Sequence, residues 1–369
     1  MNEAAGRRLV ILAEGAFGNI TAKTARGVIR YAATPTVAVI DSTNAGRTIG
    51  EVIGSAAGAH GRVPVVATLD EALALPDPPT ALLLGTAPIG GTLSAEWRAI
   101  ILRALGAGLD IVNGLHVFLA DDPELAAAAS ARGATIHDLR RPPVQMNVAT
   151  GRAHLPGKNV ILTVGTDCAT GKMGVAIELT RAARAAGLSS AMVPTGQTGM
   201  MIEGWGITID RVAGDFLQGT VEWLTAEGER RADWVFIEGQ GSLDHVAYSS
   251  VTLALIHGAR PHGMVLVHQP GRERHILFEG AGPFSHLRSV AEHIRAHEVV
   301  AALVQPSKVV GIALNTSLYD DEDEARRVIA QTSAETGLPA DDPYRFGGGP
   351  FFAAIRARLG APERAEGSR

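Results

Sequence analysis

The stretch that most constrains this chain is residues 160–174, with the sequence VILTVGTDCATGKMG. An apolar, β-branched run ends at Gly165, a glycine-bounded segment follows, and residues 175–186 then show the apolar spacing of a helix. Gly165 lets the chain turn off a strand, and Gly171 lets the backbone approach an anion. Lys172 adds positive charge where a helix start already offers unpaired N–H groups. The stretch predicts a strand, a phosphate-binding loop and a helix.

This loop departs from the ordinary phosphate-loop pattern in two places. Five residues separate Gly165 from Gly171 where the pattern has four, and Met173 replaces the Ser or Thr that would bind Mg²⁺. Because a thioether cannot replace a hydroxyl on a hard cation, phosphate binding is favoured over Mg-dependent phosphoryl transfer. The form Gly-Thr-Asp-x-x-x-Gly-Lys resembles the loop of dethiobiotin-synthetase-like and cobyric-acid-synthase-like proteins. A plain strand-turn-helix with a chance Gly-Lys is the alternative.

The length and charge of the chain limit the kinds of protein it can be. At 369 residues the chain is longer than a single hydrophobic core usually accommodates, which favours two domains. The net charge of −5 and the absence of a basic run give no electrostatic footprint for nucleic acid. No apolar run approaches the roughly 20 residues that span a bilayer, and Glu14 stops the first one. We expect a cytoplasmic protein with no nucleic-acid or membrane partner.

Cys168 is the single cysteine of the chain. One cysteine excludes an internal disulfide framework and a cysteine-cluster metal site, and the sequence assigns no metal ligands. Small molecules are the expected partners, and a symmetric homo-oligomer is the general expectation for a soluble enzyme.

Apolar runs recur through the first half of the chain, at residues 9–13, 36–40, 63–67, 81–84 and 109–112. Segments long enough for helices separate them, which predicts a parallel sheet with helices on both faces. Gly15 follows the first run and Asp41 ends the second, but the full glycine fingerprint of a dinucleotide site is missing. We predict a Rossmann-like domain over residues 1–150, as a support domain rather than a nucleotide site, with a linker at 138–152.

The second half, residues 151–369, predicts an α/β domain with a parallel sheet like that of P-loop NTPases of the dethiobiotin-synthetase type. Strand-like runs follow the phosphate loop at residues 190–194, 207–209, 234–237, 264–268 and 309–314. Open α/β sheets bind ligands at the carboxyl ends of their strands, so the polar residues after these runs are site candidates. They are Thr195, Gln197, Thr198, Glu238, Asp244, His245, Arg272 and Asn315.

Each candidate has a structural alternative. An acid at the place of Glu238 usually faces the phosphates or their cation in a phosphate-loop protein, against a solvated carboxylate at a strand end. His245 is as readily a surface or capping residue, and Arg272 a solvated charge. An Asn at the place of Asn315 reads the purine edge in dethiobiotin-synthetase-like folds, and otherwise forms a turn.

Taken together with the loop, the segments PTGQTGMMI, EGQGSL and VVGIALNT make the chain resemble a bacterial family once known only as a domain of unknown function. Members of that family are described as D-glutamate N-acetyltransferases, and the likeness covers nearly the whole chain. The resemblance implies transfer of acetyl from acetyl-CoA to the amino group of D-glutamate, in D-amino-acid catabolism.

For this activity we hypothesise the following roles for the candidate residues. The phosphates of CoA would be held by Gly165, Thr166, Asp167, Cys168, Ala169, Thr170, Gly171, Lys172 and Met173, with Asn315 on the base. Glu238 would be the general base, with Asp244 and His245 behind it. Thr195, Gln197, Thr198 and Arg272 would bind the substrate. Cys168 as a covalent acetyl acceptor is a weaker alternative to its lining the loop.

Two other functions stay open on the sequence. One is an ATP- and Mg-dependent ligase or kinase of the dethiobiotin-synthetase type, although Met173 weakens a role for Mg²⁺. The other is a nucleotide-binding regulator without chemistry.

Overall fold

The structure, a computed structural model, describes residues 7–19, 22–86, 93–276 and 285–360. The chain forms two compact units. One comprises the described residues up to Pro142 together with Gln197–Arg211, and the other comprises Pro143–Gly196 together with the described residues from Val212 onward. Each unit holds a six-stranded parallel sheet, which confirms the predicted α/β architecture of a Rossmann-like domain followed by a phosphate-loop domain.

The first unit contains six strands and six α-helices within the described residues. The strands are β1 Leu9–Leu12, β2 Thr36–Ile40, β3 Val65–Val66, β4 Ala81–Leu84, β5 Asp110–Asn113 and β6 Ile136–Asp138. The helices are α1 Lys23–Tyr31, α2 Ile49–Ile53, α3 Leu69–Leu73, α4 Ala95–Gly106, α5 Pro123–Arg132 and, later in the chain, α7 Gln197–Glu203.

The strand order of the first sheet is β3-β2-β1-β4-β5-β6, the order of a dinucleotide-binding fold. Side chains alternate along β1, so that Val10 and Leu12 enter one apolar cluster while Leu9 and Ile11 enter another. Both faces of the sheet are therefore buried, as a parallel sheet requires. Asp41, at the end of β2, accepts hydrogen bonds from the backbone N–H groups of Gly15 and Phe17. Its carboxylate thus holds the turn after β1.

The second unit contains β7 to β12 and the remaining α-helices among the described residues. The strands are β7 Asn159–Gly165, β8 Ser190–Val193, β9 Trp234–Ile237, β10 Gly263–His268, β11 Lys308–Leu314 and β12 Ala340–Asp341. The helices are α6 Lys172–Ala185, α8 Leu217–Arg231, α9 Ser249–Ala259, α10 Val290–Ala302, α11 Glu322–Thr336 and α12 Gly349–Leu359. Among the described residues, every helix is too short or too polar to cross a lipid bilayer.

The second sheet has the order β12-β11-β10-β7-β9-β8, with β7 between β9 and β10. The chain leaves β7 toward β8 and β9 on one side and later places β10 on the other side. The carboxyl end of β7 is therefore a topological switch point, where open α/β sheets form their ligand crevice. Gly239 permits close approach here, because a Cβ at this position would lie 1.7 Å from the carbonyl oxygen of Thr163 in β7.

The predicted strand at residues 207–209 is wrong. The segment contains a 3-10 turn at Ile209–Arg211 and packs with the first unit. Two contacts hold the segment in this conformation. The hydroxyl of Thr208 donates to the carbonyl oxygen of Leu139 at 3.0 Å, and Asp210 forms an ion pair with Arg140.

The end of the predicted linker is tied to the second unit by one buried carboxylate. Glu222, on α8, accepts from the backbone N–H groups of Thr150 and Arg152, each at 2.9 Å. Burial raises the pKa of Glu222, but the hydrogen bonds from Thr150 and Arg152 together with the charge of Arg260 lower it by more, so that the net pKa lies below the ordinary value. The charged carboxylate therefore holds residues 150–152 against α8 within the second unit.

Candidate functional site

The segment between β7 and α6 is a tight loop that depends on its glycines. Gly171 has φ +115°, a conformation that side-chain-bearing residues rarely adopt. At Gly165 a Cβ would lie 2.8 Å from Lys172 Nζ and 3.0 Å from Thr170 Oγ1. Ala169 also has a positive φ, of 53°. The loop backbone therefore adopts positive φ angles that are uncommon elsewhere and that cluster at ligand-binding loops.

The start of α6 has the chemistry of an anion site. Gly171 is the N-cap of this helix, so no N-cap side chain accepts a hydrogen bond from its first N–H groups. Lys172 is buried, and its Nζ donates to the carbonyl oxygen of Asp167 at 2.7 Å, which places the ammonium over the loop. Uncapped N–H groups, the helix dipole and an ammonium favour a phosphate group.

Asp167 anchors the loop from inside. Its carboxylate is fully buried and accepts from Arg272 Nη1 at 2.8 Å and from the backbone N–H of Ile276 at 2.8 Å. The other oxygen lies 3.1 Å from His275 Nδ1 and 2.7 Å from the N–H of Cys168. Buried charge is tolerated when it is paired and hydrogen-bonded in this way. Asp167 therefore acts as a scaffold for the loop.

Arg272 lies against the loop rather than pointing away from it. The same Nη1 that contacts Asp167 also donates to the carbonyl oxygen of Cys168 at 2.7 Å, and Nη2 donates to Gln269. The guanidinium positions the loop backbone. A role for Arg272 on a substrate carboxylate stays a prediction.

Glu238 lies where the sequence places it, at the carboxyl end of β9. One of its carboxylate oxygens accepts from the N–H groups of Thr195 at 2.9 Å and Gly196 at 3.1 Å. The hydroxyl of Thr195 donates to the carbonyl oxygen of Glu238 at 2.8 Å. The ends of β8 and β9 are thereby joined, and the carboxylate is buried and held in one orientation.

Asp244 and His245 follow Glu238 but have different partners. The hydroxyl of Ser242 lies 3.1 Å from the carbonyl oxygen of Thr166 and 2.7 Å from Asp244 Oδ1, which brings Asp244 to the loop. His245 Nδ1 accepts from the N–H of Ala247, so Nε2 carries the proton that is donated to the carbonyl oxygen of Ile276. Both nitrogens of His245 are used within the chain.

Asn315, at the end of β11, contacts the same loop. Its Nδ2 donates to the carbonyl oxygen of Thr170 at 3.1 Å, and its Oδ1 accepts from the N–H of Ser317. Binding of a base by Asn315 stays a prediction. Gln197 and Thr198 begin α7 and pack with the first unit, where Thr198 Oγ1 lies 2.9 Å from Thr24 Oγ1.

The sequence did not single out the histidines around the loop. His268, at the end of β10, has its Nδ1 3.0 Å from Thr166 Oγ1, and burial lowers its pKa to about 4. His293 and His297 lie one turn apart on α10, and burial lowers both pKa values, that of His297 to about 4. The spacing of four residues places both imidazoles on one face of α10.

A cavity of about 940 Å³ lies elsewhere in the second unit, lined by residues such as Asn159, Ala182, Trp234 and Phe352. Asn159 and Trp234 are the first residues of their strands, so the cavity is at the amino ends of β7 and β9. The polar and charged candidates gather at the carboxyl ends. The phosphate-loop end is therefore the candidate site of this unit.

Comparison with known proteins gives two adjacent family matches. Residues 147–352 match the family described as "Domain of unknown function (DUF1611_C) P-loop domain". Residues 42–142 match "Domain of unknown function (DUF1611_N) Rossmann-like domain". A crystal structure of a DUF1611 family protein from Anabaena variabilis is similar to this chain, with 39% identity and a TM-score of 0.87, over 95% of this chain and 99% of that one.

Two curated relatives carry the name D-glutamate N-acetyltransferase. The protein from Tritonibacter scottomollicae is 40% identical over 285 residues, which is 75% of this chain and 81% of the relative. The protein from a Pseudoalteromonas species is 35% identical over 268 residues, which is 72% of this chain and 78% of the relative. This chain therefore belongs to the D-glutamate N-acetyltransferase family, the former domain-of-unknown-function family DUF1611.

Proposed function

We propose that this protein is an N-acetyltransferase that moves an acetyl group from acetyl-CoA to the amino group of D-glutamate. The observation that carries the proposal is the uncapped start of α6 beside the buried Lys172, within a chain whose curated relatives have that name. CoA brings a pyrophosphate and a 3′-phosphate, and both are anions that main-chain N–H groups and an ammonium bind.

Met173 supports CoA over ATP-Mg as the ligand. It stands at the place where a phosphate-loop hydroxyl would bind Mg²⁺, and a thioether is a poor ligand for that cation. Phosphoryl transfer depends on a cation to neutralise developing charge. Acetyl transfer leaves the phosphates unchanged, so a loop that only grips them is sufficient.

The reaction needs a base, since an ammonium has no lone pair with which to attack a thioester. In the proposed step, the Glu238 carboxylate takes a proton from the substrate ammonium. The amine nitrogen then forms a bond to the acetyl carbon and the C–S bond breaks. The CoA thiolate leaves and takes up the second proton, which the nitrogen releases as it becomes an amide. Hydrogen-bond donors beside the acetyl carbon, distinct from those that hold the phosphates, would stabilise the oxyanion of the tetrahedral intermediate. Glu238 suits the base role because hydrogen bonds from Thr195 and Gly196 fix its carboxylate.

The replacement Glu238→Gln tests this assignment. It keeps the size of the side chain and removes the base, so kcat should fall by about 10²-fold or more while the Kd for CoA stays within about twofold. Glu335→Gln, at an exposed position on α11, is the matched control and should leave kcat unchanged. Equal turnover of Glu238→Gln and the wild type would remove Glu238 from the mechanism.

A thermal-shift panel tests the choice of ligand. Acetyl-CoA, CoA, ATP-Mg and GTP-Mg are compared at equal concentration, because a ligand at 100 times its Kd adds about 2.7 kcal/mol to the free energy of unfolding. We expect stabilisation by acetyl-CoA and CoA. A response to ATP-Mg alone would favour the ligase or kinase alternative, and an assay of acetyl transfer to D- and L-amino acids identifies the acceptor.

A further inference from the structure

Three polar side chains from different segments meet at Asp244, close to the phosphate loop. Asp244 lies in the segment after β9, His275 in the segment after β10, and His293 on α10. Asp244 Oδ2 lies 3.6 Å from His275 Nε2 and 3.5 Å from His293 Nε2. One carboxylate oxygen therefore faces two imidazole nitrogens.

Two of these atoms are buried without a hydrogen bond. Within the part of the chain that the structure describes, neither Asp244 Oδ2 nor His293 Nε2 has a hydrogen-bond partner. His293 is only 1% exposed. A buried polar atom that makes no hydrogen bond costs about 1–3 kcal/mol, and a buried charge costs more. A cation between the carboxylate and the imidazoles would remove this cost.

The third ligand atom is already oriented. His275 Nδ1 lies 3.1 Å from Asp167 Oδ1, so Nδ1 carries the proton and Nε2 presents its lone pair on the side of Asp244. A histidine that binds a metal through one nitrogen usually donates its other N–H to a carboxylate in this way. The Asp167 charge is in turn balanced by Arg272.

The two separations from Asp244 Oδ2, 3.6 Å to His275 Nε2 and 3.5 Å to His293 Nε2, suit a transition-metal ion. Ligand atoms at the zinc distances of about 2.0–2.2 Å in a tetrahedral site lie about 3.3–3.6 Å from one another. Two imidazoles and one carboxylate form a donor set that zinc prefers and Mg²⁺ does not.

We propose that Asp244, His275 and His293 form a binding site for a zinc-class divalent cation, with Asp167 as the group that orients His275. The Asp244 side chain as a whole is 19% exposed, whereas its Oδ2 and the two imidazoles are buried. The site goes beyond the proposed acetyl transfer, and it departs from the sequence expectation of no metal ligands.

A neighbouring combination, Asp167 with His245 and His275, also has ligand atoms within 4.8 Å of one another. That set is less suitable, because hydrogen bonds occupy both nitrogens of His245 and both oxygens of Asp167. His297 Nε2 is buried without a partner in the described residues, but the His297 ring centre is 6.2 Å from that of His293. His297 thus borders the proposed site.

Metal binding is measured on the full-length protein, without any acetyl-transfer assay. Zn²⁺ is titrated into metal-stripped protein by calorimetry, and Co²⁺ is added separately because a tetrahedral Co²⁺ site absorbs strongly in the visible range. We expect saturation at about one ion per chain and a Co²⁺ spectrum of tetrahedral type. A lack of saturable binding would overturn the proposal and leave a buried ion pair at Asp244.

Variants locate the ion. His293→Gln and, independently, Asp244→Asn should each weaken Zn²⁺ binding at least tenfold. Two variants are made so that the test remains valid if one of them does not fold. His257→Gln is the histidine control. The His257 imidazole contacts the carbonyl oxygen of Val300 on α10, away from the proposed ligands, so this variant should bind Zn²⁺ as the wild type does. Wild-type affinity in folded His293→Gln and Asp244→Asn would contradict the site. The acetyl-CoA titration is separate, so either proposal can fail while the other stands.

Discussion

Arg272 Nη1 lies 2.8 Å from Asp167 Oδ2, and this contact joins the end of β10 to the loop that follows β7. The side chains are 12% and 0% exposed, respectively. Because β7 and β10 are neighbours in the sheet, the pair closes the crevice at the switch point from one side. The two residues are separated by 105 positions in the chain, so a distant segment fixes the conformation of the phosphate loop.

Replacing Arg272 should destabilise the second unit. Arg272→Met leaves the buried Asp167 carboxylate without its cation, and breaking a buried pair in this way costs about 3–5 kcal/mol. Urea unfolding measures the change. Arg326→Met, which breaks the exposed pair with Glu322 on α11, is the control and should cost less than about 1 kcal/mol. Equal losses in the two variants would show that the contact does not shape the loop.

Gly171→Ala should damage the loop by backbone strain alone. A Cβ at Gly171 would meet only Asn315 Nδ2, at 3.9 Å, so the space is adequate, but the φ of +115° is not. We expect a loss of about 1–3 kcal/mol in the free energy of unfolding and weaker CoA binding. Gly106→Ala, at the end of α4, has neither a positive φ nor a close neighbour and should be neutral or stabilising. Wild-type CoA affinity in Gly171→Ala would contradict the role of the loop.

His268 should make stability depend on pH in the acid range. Burial lowers its pKa in the folded protein to about 4, below the unfolded value of about 6.5. Between these values the unfolded chain binds more protons, so stability falls as the pH is lowered from about 6.5 to about 4, by up to about 3 kcal/mol. Above pH 6.5 the contribution is complete. Thermal unfolding of His268→Asn should show a shallower decline than the wild type; identical curves would refute the assignment.

The strands with continuous apolar runs were predictable, whereas two short edge strands without such runs were not. The runs at 36–40 and 81–84 coincide with β2 and β4 because side chains on both faces of a parallel sheet are buried. In contrast, β6 and β12 have three and two residues. They lie at the edges of their sheets, where burial is incomplete and the sequence pattern is correspondingly weak.

The site was predictable wherever a residue follows directly from a strand end. The loop at 165–173 and Glu238 are such cases, because strand order alone places them at the same edge. The contacts of Asp167 with Arg272 and His275 depend on how the segment after β10 folds back, which no local pattern encodes. His293 contributes from the side of a helix, where a single buried histidine does not differ in sequence from one in an ordinary core.

The proposed phosphate-binding role of the loop is tested most directly by calorimetry in magnesium-free buffer, which measures the affinities of the wild type and of Lys172→Ala for CoA. If main-chain N–H groups and the Lys172 ammonium hold the phosphates, the wild type should bind CoA without Mg²⁺. Lys172→Ala should bind CoA at least tenfold more weakly. CoA binding that requires Mg²⁺, or an equal affinity in Lys172→Ala, would contradict this role of the loop.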